Sequence, residues 1–164
     1  ALHGGKQDMY EGGIRVPTCV VWPGKIQPGE QTDFEALTMD FYPTLCEAVG
    51  VEVNHQIDGR SILSYLLDPS PETAEKFAPR DTFWIRLEGN DRYQGQDYRA
   101  MRRGDWKLLH NNPFEPLQLF NLKDDPAEET DLSTVNRQIF REMTTELRKQ
   151  IQRGGSVPWQ KPVE

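Results

Sequence analysis

The chain has 164 residues, 36% of them hydrophobic and 27% charged, with a net charge of −7 at neutral pH. That length fits one ordinary domain, or a small domain plus a piece of another. The acidic balance argues against a general nucleic-acid binder, which needs a cationic footprint, but leaves room for a local Lys/Arg cluster that takes a small anion. No stretch reaches the apolar length needed to cross a bilayer, so no membrane partner is expected.

Thirteen glycines and twelve prolines predict short elements joined by many loops. Residues 1–17, ALHGGKQDMYEGGIRVP, read as a glycine-punctuated loop. TCVVW, residues 18–22, is a short apolar run closed by Pro23-Gly24 and reads as a buried strand. Cut from a larger sheet, it would expose an edge open to self-association. A helix follows Asp40 as N-cap, with Phe41, Leu45 and Val49 on one face and Gly50 as its stop. IDGRSILSYLL gives a turn and a second short helix, and the polar, proline-rich stretch 68–80 marks a subdomain boundary.

Beyond the boundary the texture changes to strands. TFWIRLEG, QDYRAMRRG, DWKLLHNN and PLQLFNL are short β-runs, and YRAMRR and DWKLLH pair as a hairpin through Gly104-Asp105. The acidic run DDPAEETD matches no calcium loop and reads as a solvated approach to a helix. That helix spans 133–153, capped by Ser133 or Thr134 and stopped by Gly154-Gly155. Its stripe is Val135, Ile139, Phe140, Met143, Leu147 and Ile151. A small antiparallel sheet with this helix across one face is an α+β module.

Chemistry-bearing residues are sparse. Lys6 lies between glycine pairs that allow positive φ and close approach to a ligand, and a lysine there offers a compact charge to an oxyanion. His3, His55 and His110 lack metal-ligand spacing, and Cys19 and Cys46 sit apart in apolar contexts and read as buried thiols rather than a disulfide, leaving the compartment open. No GxSxG, HExxH, P-loop or dinucleotide fingerprint is present, so the residues by themselves form no complete catalytic set.

Five segments in order resemble the type I sulfatases. GGKQDMYEGGIRVPTCVVWPGKI is similar to their G-K-x-x-x-(W/Y)-E-G-G-x-R-x-P block and the W-P-G after it. MDFYPTLCEAVGV resembles D-x-x-P-T-L-x-x-x-x-G, and IDGRSILSYLL resembles D-G-x-S-L-x-x-x-L. MRRGDWKLL and LQLFNLKDDPAEETDL resemble the R-x-G-D-W-K-L and E-L-Y-(D/N)-L-x-x-D-P-x-E-x-x-N-L blocks.

The resemblance implies an α+β chain: the end of a sulfatase α/β domain (residues 1–75), then a small antiparallel-sheet subdomain with a packed C-terminal helix (residues 76–164). It implies a parent enzyme that hydrolyses sulfate esters of small molecules or glycans with a formylglycine nucleophile and a calcium ion. The C/S-x-P-S/A-R precursor motif and the metal ligands are absent from this sequence. No cofactor of its own is therefore expected for the chain, and the chain alone is expected to be inactive. Lys6 matches the lysine that contacts a sulfate oxygen. Glu11, Gly12, Gly13 and Arg15 match as structural residues, and Arg86, Glu88 and His110 are candidates at the pocket mouth. A periplasmic or secreted parent is compatible with the resemblance. Two alternatives stand beside this reading: a non-catalytic module binding sulfated glycans, and a phosphodiester or phosphonate monoester hydrolase of the same superfamily.

Overall fold

The structure is a computed structural model and describes residues 1–87, 97–112 and 114–156. These form two compact units, residues 18–78 and residues 1–17 with 79–164. The first seventeen residues thus group with the sheet.

In the unit 18–78 a 3-10 turn (Thr38–Asp40) leads into α2 (Phe41–Ala48), followed by α3 (Leu63–Leu67) and α4 (Pro71–Ala74). Its centre joins buried Ile62 and Tyr65 to a hydrogen-bonded polar hub. Buried Asp40 accepts the Leu37 N–H through Oδ2 (2.8 Å) and the Arg60 N–H through Oδ1 (2.9 Å). Thr44 Oγ1 donates to the Asp40 carbonyl (2.6 Å) and accepts the Ile62 N–H (3.0 Å). Gly59 is needed because a Cβ there would lie 2.1 Å from the Met39 carbonyl oxygen. Asp40 therefore does more than open α2; its side chain ties α2 to the segment that enters α3. Gly50, at φ +72°, closes α2 in a Schellman arrangement: the Val51 N–H reaches Cys46 O and the Gly50 N–H reaches Glu47 O.

Two expectations are corrected here. Leu45 and Val49 are 65% and 73% exposed, because the α2 residues buried within this unit are Pro43 and Thr44. TCVVW is not a buried strand: residues 18–22 pair with no strand among the described residues, and Val21 is 77% exposed. A strand is defined by its ladder, and β-rich composition cannot supply the neighbour.

The second unit holds a four-stranded antiparallel sheet in the order β1 (Thr82–Leu87), β2 (Asp97–Arg103), β3 (Trp106–His110), β4 (Gln118–Asn121). The β2–β3 hairpin turns at Gly104-Asp105 with Gly104 at φ +57°. Register sets the faces. Phe83, Met101, Leu108 and Leu119 fall in one row across all four strands. They pack on α5 (Arg137–Ser156) through Met143 and Leu147, both essentially fully buried, with Ile139, Phe140 and Ile151 at the margin.

The helix is shifted relative to its sequence reading. The Asp131 carboxylate takes the Ser133 N–H and hydroxyl, while the Val135 and Asn136 N–H groups bond back to Leu132 O. Those bonds make a separate turn, so α5 begins at Arg137 and Val135 is 74% exposed. Gly154-Gly155 lies inside the last turn; glycine weakens a helix without forbidding it.

Trimming Leu147 to Ala should destabilise the sheet unit by about 2–5 kcal/mol, whereas Val135→Ala should stay within about 0.5 kcal/mol. Urea unfolding followed by tryptophan fluorescence checks both, since Trp106 packs against the same cluster.

Candidate functional site

The sheet face opposite α5 is covered by the chain's first segment. Met9 joins Ala100, Leu109 and Phe120 in a second core cluster, with Tyr10, Ile14, Trp84 and Tyr98 packed around it. The segment read as a loop contains one helical turn, α1 (Glu11–Ile14). Gly12 and Gly13 are required by close backbone approach: a Cβ at Gly12 would meet His3 O at 2.4 Å, and one at Gly13 would meet Asp8 O at 2.2 Å. Residues 3–13 thus fold back on themselves.

The anchor of this segment is ionic. Lys107 is fully buried on β3 and stands directly opposite Arg102 of β2, a placement of two cations that would repel if left alone. Glu11 enters between them. The Lys107 ammonium donates to Glu11 Oε1 (2.9 Å), and Arg102 lies 4.0 Å from Glu11 Oε2. Glu128 Oε1 is ion-paired to the same ammonium at 2.8 Å, off the hydrogen-bond direction, and Glu128 Oε2 accepts the Glu11 N–H at 2.6 Å. Two cations and two carboxylates balance. Glu128 holds φ +55° to reach them, a backbone state that costs a non-glycine residue about 1–3 kcal/mol. The acidic run is therefore not all solvated: Glu128 is a buried partner, and although it and Lys107 fall inside the D-P-x-E and D-W-K blocks, the sequence patterns give neither a role.

Lys6 sits at the tip of a β-turn. The Asp8 N–H donates to Gly5 O (3.0 Å), Gln7 has φ +93°, and Lys6 keeps negative φ, which is the type II pattern with glutamine where glycine is usual. Asp8 closes the turn a second time by accepting the Gly5 N–H through Oδ2 (2.9 Å). Asn111, just beyond β3, accepts the Met9 N–H through Oδ1 (2.7 Å) and donates through Nδ2 to Asp8 Oδ1 (3.3 Å). The Lys6 side chain is exposed, with no hydrogen bond or ion pair among the described residues.

Of the other residues singled out by sequence, Arg86 comes to this turn. Its guanidinium donates to Gln7 O (3.1 Å) and lies over the Tyr98 ring (5.6 Å). His110 Nε2 lies 3.1 Å from Glu115 O at the end of β3. Glu88 lies outside the described residues. Among the described residues no three His, Cys, Asp or Glu side chains converge as metal ligands. Cys19 and Cys46 are free thiols, though not buried as expected, since Cys19 lies in the exposed 18–22 segment and Cys46 is only half-buried, and neither is followed by the x-Pro-(Ser/Ala)-Arg of a formylglycine precursor. The described residues do not fit the calcium ion, and neither cysteine fits a precursor of the aldehyde nucleophile.

Tyr10 stacks on His3 with ring centroids 3.9 Å apart. Burial, then the negative charges of Glu128, Glu115 and Asp8, raise its phenol above the usual 10.0.

A small four-stranded antiparallel sheet with a packed helix is shared with the C-terminal subdomain of sulfatases. The solved structure of Ps i-CgsB superposes on 90% of this chain and 31% of its own, with 28% identity and a TM-score of 0.73. Residues 3–155 match the family described as N-sulphoglucosamine sulphohydrolase, C-terminal, and the chain belongs to that family. A sulfatase of Formosa agariphila is 35% identical over 140 residues, covering 80% of this chain and 25% of that protein. Arylsulfatase K of Gallus gallus is 29% identical over 130 residues, 78% of this chain and 24% of the relative. The chain spans about a quarter of the length of these two relatives.

Replacing Lys107 by Met should cost about 3–5 kcal/mol, since it leaves two buried carboxylates without their cation; chemical denaturation measures it. For Tyr10, a pKa raised on folding means that the unfolded chain loses its proton first. Its contribution to stability is full below about pH 10 and falls as pH rises through the folded-state value. Urea midpoints at about pH 9 and about pH 11 should therefore fall less in Tyr10→Phe than in the unsubstituted chain.

Proposed function

We propose that this chain is the C-terminal part of a sulfate-ester hydrolase and that Lys6 is its contribution to the anion site. The observation that carries the reading is the turn itself: an unpartnered ammonium held at the tip of a strained, doubly closed turn, in a segment riveted to a rigid sheet. An exposed lysine with no internal partner serves no packing purpose. Offered to a sulfate, it binds an oxygen and offsets the negative charge that grows on the transferring group as the ester bond breaks.

The calcium ion and formylglycine that the family resemblance implies would come from parts of the enzyme other than these 164 residues. The division of labour follows: residues up to about 75 complete the catalytic α/β domain, and residues from about 76 form the C-terminal subdomain, which lends its sheet as the platform for residues 3–14. The substrate class we favour is a sulfated glycan. Ps i-CgsB, whose structure was also solved in complex with k-i-k-neocarrahexaose, supports it. Arg86 and His110, both on the sheet and the first of them beside the Lys6 turn, are the rim residues to meet such a chain, together with Glu88. Arg86 already bonds Gln7 O, so its first task is to hold the turn and its second is to meet the ligand.

In the complete enzyme, Lys6→Ala should lower kcat/KM on a sulfated substrate by about 10²–10³, the usual loss for one preorganised charge-stabilising donor. Steady-state kinetics on an aryl sulfate and on a sulfated oligosaccharide decide it. An undiminished kcat/KM on both would overturn the assignment.

A further inference from the structure

We infer that Asn111 is a positioning residue for Lys6, acting through Asp8. This rests on the reading of Lys6 given above. The Glu11–Lys107–Glu128 cluster fixes the segment at residue 11, five positions past the lysine, and leaves the 5–8 turn to be fixed by other contacts. Asn111, more than a hundred residues away in sequence, supplies them with one carboxamide. Its oxygen takes the Met9 N–H and its N–H points to Asp8 Oδ1. The carboxamide meets both with separate atoms, an oxygen acceptor for the N–H and a nitrogen donor for the carboxylate.

The contact has an electrostatic consequence for the lysine. Asp8 is two residues from Lys6 and is the carboxylate nearest to it in sequence. Both of its oxygens are engaged, Oδ2 by the Gly5 N–H and Oδ1 by Asn111. A carboxylate held in that way makes no ion pair with Lys6 among the described residues, and the ammonium stays available to an external anion. Without Asn111 the Gln7 conformation at φ +93° loses a support, the turn can relax, and Asp8 is free to neutralise the lysine. Asn111 thus keeps the cation both in place and unpaired.

The test is a double-mutant cycle in the complete enzyme. Asn111→Ala should lower kcat/KM on a sulfated substrate by about tenfold to a hundredfold, the scale of a catalytic group displaced by about 1 Å. In a Lys6→Ala background the same substitution should cost less than about threefold, because its route of action is gone. Asn111→Asp, nearly isosteric, keeps an acceptor for Met9 but sets a second carboxylate against Asp8, and should behave like Asn111→Ala even where the alanine variant folds poorly. Amide hydrogen exchange gives a readout independent of turnover: protection of the Asp8 and Met9 N–H groups should drop in both Asn111 variants and persist in Lys6→Ala. Equal losses from Asn111→Ala with and without Lys6, or unchanged kcat/KM in both Asn111 variants while Lys6→Ala is impaired, would overturn the inference. An unimpaired Lys6→Ala enzyme would instead remove the lysine assignment, and this inference with it.

Discussion

A buried ammonium between two carboxylates is the constraint on which the sheet unit depends. Lys107 has no route to water, and its charge is tolerable only because Glu11 and Glu128 arrive from sequence distances of 96 and 21 residues. Ion pairs of this kind add little net stability over a well-packed apolar core, but they are severe about which partners complete them. The sheet cannot close its second face with just any segment. It must be covered by one that brings a carboxylate to that place, and the segment that does so also carries Lys6.

The same constraint explains why three separate sequence blocks behave as one object. The E-G-G turn, the D-W-K strand and the D-P-x-E loop each contribute one member of the cluster. Gly12 and Gly13 let the first block fold tightly enough for Glu11 to enter, and Glu128 takes an unfavourable φ to reach the same point. Strain at Glu128 and at Gln7 lies at the two ends of one mechanical path, from the sheet interior to the tip of the lysine turn. Rigidity is what a charge-stabilising group needs, because an ammonium that must reorganise at the moment of reaction loses most of its advantage.

The unit 18–78 is built on a different principle. Asp40 and Thr44 serve as a hydrogen-bonded hub for backbone groups of the next segment, beside buried Ile62 and Tyr65, while much of the α2 surface is apolar and exposed. A helix that buries its prolyl and threonyl side and shows its leucine and valine has its orientation set by specific bonds rather than by the hydrophobic face that periodicity identifies.

How much of this could be read in the chain of residues follows from range. The β2–β3 hairpin, the α2 stop at Gly50 and the α5 stripe from Ile139 to Ile151 depend on neighbours within a few positions, and the sequence determined them: glycine at a positive φ and apolar spacing are local signals. The ordered motif blocks also determined the family, and marked Lys6 and Glu11. Tertiary structure alone decided that TCVVW has no ladder, that Val135 stays outside the helix, that Glu128 is buried in a run of solvated acids, and that Asn111 meets Asp8. The Val135 turn is set by the nearby Asp131 and Leu132 bonds, and the physical reason is common to the other three. A backbone ladder, a buried charge and a two-armed amide each require a partner far away in the chain, and one-dimensional pattern carries no record of which distant group will be there.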